Sequence, residues 1–237
     1  MELDLLKQGG LLLADKPAGF TSHDAVMIIR NKLKIRRIGH TGTLDPAATG
    51  LLIMLIGPAT KLQNQYQQAT KVYTGTISFG RETDTWDAEG KVLADKPVPP
   101  LTLDDLKKAL TAFTGEIVQI VPPFSAVKVG GVPMHKLARK GIPTKEVMKK
   151  VTISSWTNLE WNAPELSFRV ECTTGTYVRA LAHMLGQNLG CGAHLKVLRR
   201  LQAGAFGVDG ALDIAAAKNM TAEEISRYIQ PLPCSLP

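Results

Sequence analysis

The sequence predicts an α+β fold, with a mixed, largely antiparallel central sheet and helices packed on it. Three observations carry that expectation. Short apolar runs at 10–15 (GLLLAD) and 50–56 (GLLIMLI) are bounded by glycine and proline, which suits buried strands better than helices of useful length. Two later segments alternate apolar and polar residues with the period of a half-buried strand. Helical patterns fall between the strands too irregularly for a doubly wound parallel sheet.

After the first run, Thr21 and Asp24 form a Thr-x-x-Asp capping signature, and Ala25, Ile29 and Leu33 recur on one helical face. That helix leads into a basic segment ending at His40. Residues 39–50, GHTGTLDPAATG, carry glycines at 39, 42 and 50 and a proline after Asp45, which describes a loop rather than a regular element. From Val72 the chain alternates, with Tyr73, Gly75, Ile77 and Phe79 on one face and Thr74, Thr76 and Ser78 on the other. A second capped helix opens at Thr102 with Asp105 three residues on, buries Leu103, Leu106, Leu110 and Phe113, and stops at Gly115.

Residues 121–145 hold four prolines and three glycines interleaved with Lys and Arg, which predicts a long, mobile, basic excursion from the core. Leu166, Phe168, Val170 and Cys172 then alternate as a strand, TTGT turns, and Val178, Leu181, Leu185 and Leu189 make a helix ended by Gly190. Arg179 falls in the first turn of that helix, and a short capped helix begins at Thr221.

The 237 residues, 44% hydrophobic and 21% charged, suffice for one sizeable core, and no repeat or linker divides them, so a single domain over 1–237 is expected. No apolar run approaches the roughly 20 residues of a membrane helix. The N-terminal MELDLLKQGG places acidic residues where a signal peptide carries lysines, which points to the cytoplasm. Cys172, Cys191 and Cys234 are odd in number and far apart, so they read as reduced thiols rather than a disulfide framework. No His-x-x-x-His or Cys-x-x-Cys pair argues for a metal. A net charge of +7 and clusters at Arg30, Lys32, Lys34, Arg36 and Arg37, at Lys136, Arg139, Lys140, Lys145, Lys149 and Lys150, and at Lys196, Arg199 and Arg200 point to a polyanionic partner.

GHTGTLDPAATG, followed by GPATK at 57–61, closely resembles the signature of the TruB family of tRNA pseudouridine synthases. The likeness continues through LLLADKPAGFTSHDAV (11–26), KVYTGTISFGRETDTWDAEG (71–90), GTYVRAL (175–181) and GCGAHLKVLRRL (190–201). It implies the pseudouridine synthase catalytic fold and isomerisation of the T-loop uridine at position 55 of tRNA, with Asp45 catalytic and no cofactor or metal. The chemistry suits a carboxylate. The N1–C1′ bond breaks, the uracil rotates and rejoins through C5, with no net gain of water, electrons or phosphate. Attack at C6, attack at C1′ and elimination across the sugar all remain open.

The same resemblance makes Arg179 the cationic partner of Asp45, which would offset the rise in carboxylate pKa that burial brings. It makes Tyr73 a stacking residue or proton acceptor and His40 the residue that fills the space left by a flipped base. Leu198 would line the base pocket, with Lys61, Asp87 and Tyr177 close to the substrate. By residue type alone these positions also read as a turn aspartate, a helix-start arginine, a core tyrosine and leucine, and surface charges. The excursion at 121–150 resembles the family's RNA-gripping insertion, with Lys136, Arg139 and Lys140 as phosphate contacts. The family's C-terminal module of the PUA type is not evident before Pro237. The expected partner is the tRNA T-arm, bound by a monomer with no obligatory protein partner. The rival readings are an RNA-folding module without catalysis, a guide-dependent pseudouridylase, and a glycosidase with paired carboxylates.

Overall fold

The computed structural model describes residues 9–143 and 145–232. The chain forms two compact units, Met1–Tyr73 with Leu198–Pro237 and Thr74–Val197. In the first, β1 (Gly10–Lys16), α1 (Ser22–Leu33), β2 (Ile38–His40) and β3 (Thr49–Ile56) precede a 3-10 turn (Gly57–Leu62) and α2 (Gln63–Gln67). The chain leaves this unit within β4 (Lys71–Phe79). The second unit adds β5 (Arg81–Thr83), β6 (Val92–Asp95), α3 (Leu103–Thr111), β7 (Gly115–Ile120), β8 (Lys128–Val129), β9 (Val132–Pro133) and α4 (Met134–Ala138). It continues through β10 (Met148–Asn162), β11 (Glu165–Cys172) and α5 (Val178–Asn188). The chain returns within β12 (Ala193–Ala203), and β13 (Phe206–Gly207), β14 (Leu212–Asp213), α6 (Ile214–Ala217), α7 (Ala222–Ser226) and β15 (Ile229–Gln230) complete the first unit.

In the first unit β1 and β3 pair antiparallel, in register from Gly10 opposite Ile56 to Lys16 opposite Gly50. β14 joins β1 in parallel, and β12 joins β3 in parallel through Arg199 and Arg200. β15 and β2 add antiparallel neighbours. Both faces of the central pair are covered. Leu12, Ala14, Leu52, Met54 and Ile56 pack with Ala25 and Ile29 of α1, Ile214 of α6 and Ile225 of α7, while Leu11, Leu51, Ile53 and Leu55 pack with Tyr66 and Ala203. A strand buried on two faces has no position for a polar residue, which is why GLLIMLI runs unbroken.

The second unit is built on the order β4-β11-β10-β7, with β10 antiparallel to both β11 and β7. Here Leu166, Phe168, Val170 and Cys172 are buried while the residues between them are half-exposed, so alternation survives in the sequence. α3 packs against β10 and α5, and Trp156 and Trp161 donate from their indoles to the carbonyls of Phe113 and Leu101, 3.0 Å each, on either side of that helix. Capping boxes close the N-termini of α1 at Thr21 and Asp24 and of α3 at Thr102 and Asp105. The mixed, largely antiparallel sheet with flanking helices is therefore as expected.

Two expectations about loops change. Gly39 and His40 belong to β2, because backbone pairing of Ile38, Gly39 and His40 with Ile56, Leu55 and Met54 extends the β3 ladder; glycine counting does not register it. The excursion is rooted where Ile120 pairs with Met148, and it is folded. It carries the β8–β9 hairpin and α4, whose Met134 is buried and meets the hydroxyl of Ser125 through its sulfur at 3.6 Å. Cys172 and Cys191 are buried, and Cys234 and the first eight residues lie outside the described residues. No helix among the described residues is long and apolar enough to cross a membrane.

Candidate active site

In the first unit the loop 41–48 carries Asp45 between β2 and β3, and it is held by side chains that turn inward from three other elements. Ser22, at the start of α1, donates its hydroxyl to the Leu44 carbonyl at 3.1 Å and accepts from the Leu44 amide at 2.9 Å, a two-way bond on the residue before Asp45. Lys16 is wholly enclosed, and its ammonium donates to the carbonyls of Pro17, Phe20 and Pro46 at 2.9, 2.7 and 3.1 Å. A buried ammonium is tolerable only when its hydrogens find acceptors, so these carbonyls solvate Lys16 while its bond to Pro46 ties the loop to β1 and to the turn after it. Arg200 of β12, 3% exposed, braces both ends, donating Nε to Leu51 at 2.6 Å and Nη2 to Gly42 at 3.1 Å.

Within the loop Ala48 donates to the Asp45 carbonyl at 3.0 Å, and Pro46 also accepts from Gly19 at 3.0 Å. Gly50 alone of the three motif glycines is strictly required. Its φ is +99°, and a Cβ there would lie 2.2 Å from the Arg200 carbonyl oxygen, inside any contact limit. Asp45 itself is half-buried. His40 is held below its ordinary pKa, first by burial and then by the charges of Arg200 and His23, so its imidazole is neutral near neutral pH. Tyr73 is buried at the end of this unit's segment, Leu198 is half-buried in β12 with its carbonyl 3.5 Å from the Thr49 hydroxyl, and Lys61 is exposed on the 3-10 turn.

In the second unit Arg179 is 4% exposed, in the first turn of α5. Its Nη1 donates to the Thr85 carbonyl at 3.1 Å and lies 3.8 Å from Asp87 Oδ2, and its Nη2 donates to the Phe124 carbonyl at 2.8 Å. Asp87 is in turn fixed by the Thr85 hydroxyl at 2.6 Å and the Glu89 amide at 3.1 Å, both on Oδ1. Arg179 and Asp87, matched separately to one family, are thus brought together. Tyr177 caps α5 and donates its amide to Gln119 Oε1 at 2.8 Å. Lys136, Arg139 and Lys140 are exposed on α4 and just after it.

Sequence reasoning missed Lys16, Ser22 and Arg200 as supports of the loop and Gln119 as support of α5. One further signal was available: residues 25–81 contain a single acidic residue, Asp45, among eight lysines and arginines. A cleft of about 580 Å³ in the second unit holds none of the residues predicted for the catalytic site, although Ala88 next to Asp87 and Lys196 of the third basic cluster line it. Its cations Arg81, Lys96 and Lys196 are each neutralised, by Asp95, Glu82 and Glu165.

Comparison with known proteins identifies the chain's relatives. Residues 30–178 match the N-terminal domain of the TruB family pseudouridylate synthases, and residues 179–236 match the C-terminal domain of tRNA pseudouridylate synthase B. The tRNA pseudouridine synthase B of Opitutus terrae is 46% identical over 94% of this chain and 92% of that protein. That of Aromatoleum aromaticum is 45% identical over 94% of this chain and 72% of its own length. Among solved structures, a chain of a Cbf5-Nop10-Gar1 complex superimposes with a TM-score of 0.72 at 27% identity over 98% of this chain, which spans 62% of that one. With the motif loop intact around Asp45 and the likeness running almost from end to end, the chain belongs to the TruB family of pseudouridylate synthases.

Proposed function

We infer that this protein is a tRNA pseudouridine synthase, and that its target is the T-loop uridine at position 55. The observation that carries the reading is the motif loop, complete from Gly39 to Gly50 and clamped by Lys16, Ser22 and Arg200 around a half-buried Asp45. A carboxylate positioned to this degree and a neutral His40 in the same unit suit a reaction that needs charge stabilisation and proton movement without a redox or hydrolytic co-reactant. In the reaction the N1–C1′ bond breaks, the C5–C1′ bond forms, and the proton displaced from C5 is lost as N1 gains one.

Asp45 is the proposed catalytic group, and Tyr73 and Arg179 are proposed to act on the same nucleotide. His40, Lys61, Asp87, Tyr177 and Leu198 are assigned to its binding. The exposed Lys136, Arg139 and Lys140 are assigned to phosphates of the T-arm, in the cytoplasm and without a protein partner. The guide-dependent alternative draws on the solved relative, whose structure is that of a complex with Nop10 and Gar1.

Tritium release from C5-labelled uridine in an unmodified tRNA transcript tests the reading with the purified chain alone. Wild type is expected to release tritium, and Asp45→Asn to lose at least about 10³-fold in rate with unchanged RNA binding. Release that persists in Asp45→Asn would remove the aspartate from the chemistry. No release from wild type, with tight binding, would favour a folding module or a dependence on partners.

A further inference from the structure

Trp86 has a φ of +63°, a left-handed conformation that glycine adopts freely and a bulky side chain disfavours. It sits in the turn between Thr85, whose carbonyl receives Arg179, and Asp87, whose carboxylate faces the same guanidinium. The indole is stacked on the His183 imidazole, ring centres 4.3 Å apart and planes within 3°. His183 lies on α5 exactly one helical step of four residues beyond Arg179, so both side chains leave the same face of one helix. Its Nδ1 is buried and has no hydrogen-bond partner among the described residues, so at that edge the ring is held by packing rather than by a polar bond.

The backbone around Trp86 is pinned as well. Its amide donates to Thr83 at 3.2 Å, its carbonyl accepts from Leu195 at 3.0 Å, and Ala88 donates back to Leu195 at 3.1 Å, closing a parallel bridge between Asp87 and Leu195. That bridge fixes where the turn begins and ends. The Trp86 amide's bond to Thr83 orients the Thr85–Trp86 peptide within the turn, but none of these backbone bonds reaches α5, so they leave open how the turn is held against the helix that carries Arg179.

We propose that the Trp86–His183 stack is a positioning device for Arg179. The helix that carries Arg179 grips, through His183, the turn that supplies the Thr85 carbonyl and the Asp87 carboxylate, so the donor and these two groups move as one body. Glycine at 86 would satisfy the backbone without strain but would offer His183 no ring. The inference rests on the reading that Arg179 serves the pseudouridine reaction, and it adds Trp86 and His183 as residues acting through it.

Trp86→Gly, His183→Ala and His183→Phe separate positioning from mere stability. Trp86→Gly relieves the positive φ, so its thermal midpoint should equal or exceed that of wild type, while kcat for tRNA falls about tenfold and KM stays within about twofold, the pattern of a displaced catalytic group. His183→Ala should show the same split, and His183→Phe, which restores a stacking ring, should recover most of kcat. Hydrogen exchange in the 84–88 segment should quicken in Trp86→Gly and His183→Ala and not in His183→Phe. Wild-type kcat and wild-type exchange in Trp86→Gly, or equal losses in the alanine and phenylalanine variants, would overturn the proposal. A wild type that released no tritium would sink the functional reading instead, while exchange would still judge the stack.

Discussion

Two groups of cations, one in each unit, are used in opposite ways. In the first, Lys16 and Arg200 are enclosed and their hydrogens go to backbone carbonyls on and beside the Asp45 loop. In the second, Lys136, Arg139 and Lys140 stand exposed on a folded excursion. A buried cation must be satisfied by the protein itself and so becomes a structural fastener. An exposed one keeps its hydration and is available to exchange counterions with phosphates. The strands differ in the same sense: β3 is buried on both faces, whereas β11 buries one residue in two. Lys16 and Arg200 hold a loop still, whereas Lys136, Arg139 and Lys140 present a charged surface.

The largest effects should come from the strands. Leu51→Ser and Leu52→Ser point to opposite faces of β3, and each should cost roughly 3 to 5 kcal/mol in urea unfolding, because each leaves a cavity and buries a hydroxyl. On β11, Phe168→Ser should cost as much while Ser167→Ala stays within about 0.5 kcal/mol. A cheap Leu51→Ser would break the contrast between a two-faced and a one-faced strand.

Next come the cations. Lys16→Met takes a donor from three carbonyls, of which Pro46 keeps the Gly19 amide, and should lower stability by about 2 to 3 kcal/mol, with RNA affinity of the folded protein unchanged. Replacing Lys136, Arg139 and Lys140 with alanine should leave stability within about 0.5 kcal/mol but weaken tRNA binding and make the slope of log K against log salt shallower by about 2. If both variants moved both measures alike, the division of labour would be wrong.

The smallest effect is one of pH. His40 in the first unit and His183 in the second are each held below the ordinary 6.5, by burial first; Arg200 and His23 add to this at His40, while Glu82 opposes it at His183. As pH falls below that value the unfolded chain takes up protons that the folded chain still refuses, so the unfolded state is favoured. Stability is therefore full above it and declines as pH drops toward the folded values. A thermal midpoint that falls between about pH 7.5 and about pH 5.5 should fall less in His40→Gln, and to a smaller degree in His183→Gln.

Much of the fold was legible in the residues themselves. Apolar runs and alternation located β1, β3, β4 and β11, and Thr-x-x-Asp located the starts of α1 and α3, because burial on one face and capping are local properties that spacing records. The motif around Asp45 was legible too, through glycines, a proline and its likeness to one family. What held that motif was not. Lys16 meets Pro46 across 30 residues, Arg200 meets Gly42 across 158, and Gln119 meets Tyr177 across 58. Periodicity says that a face is apolar and charge says that a side chain needs a partner, but neither names the partner. Only the folded chain decides that, because a buried donor can be paid for by whichever carbonyl the tertiary structure brings within 3 Å.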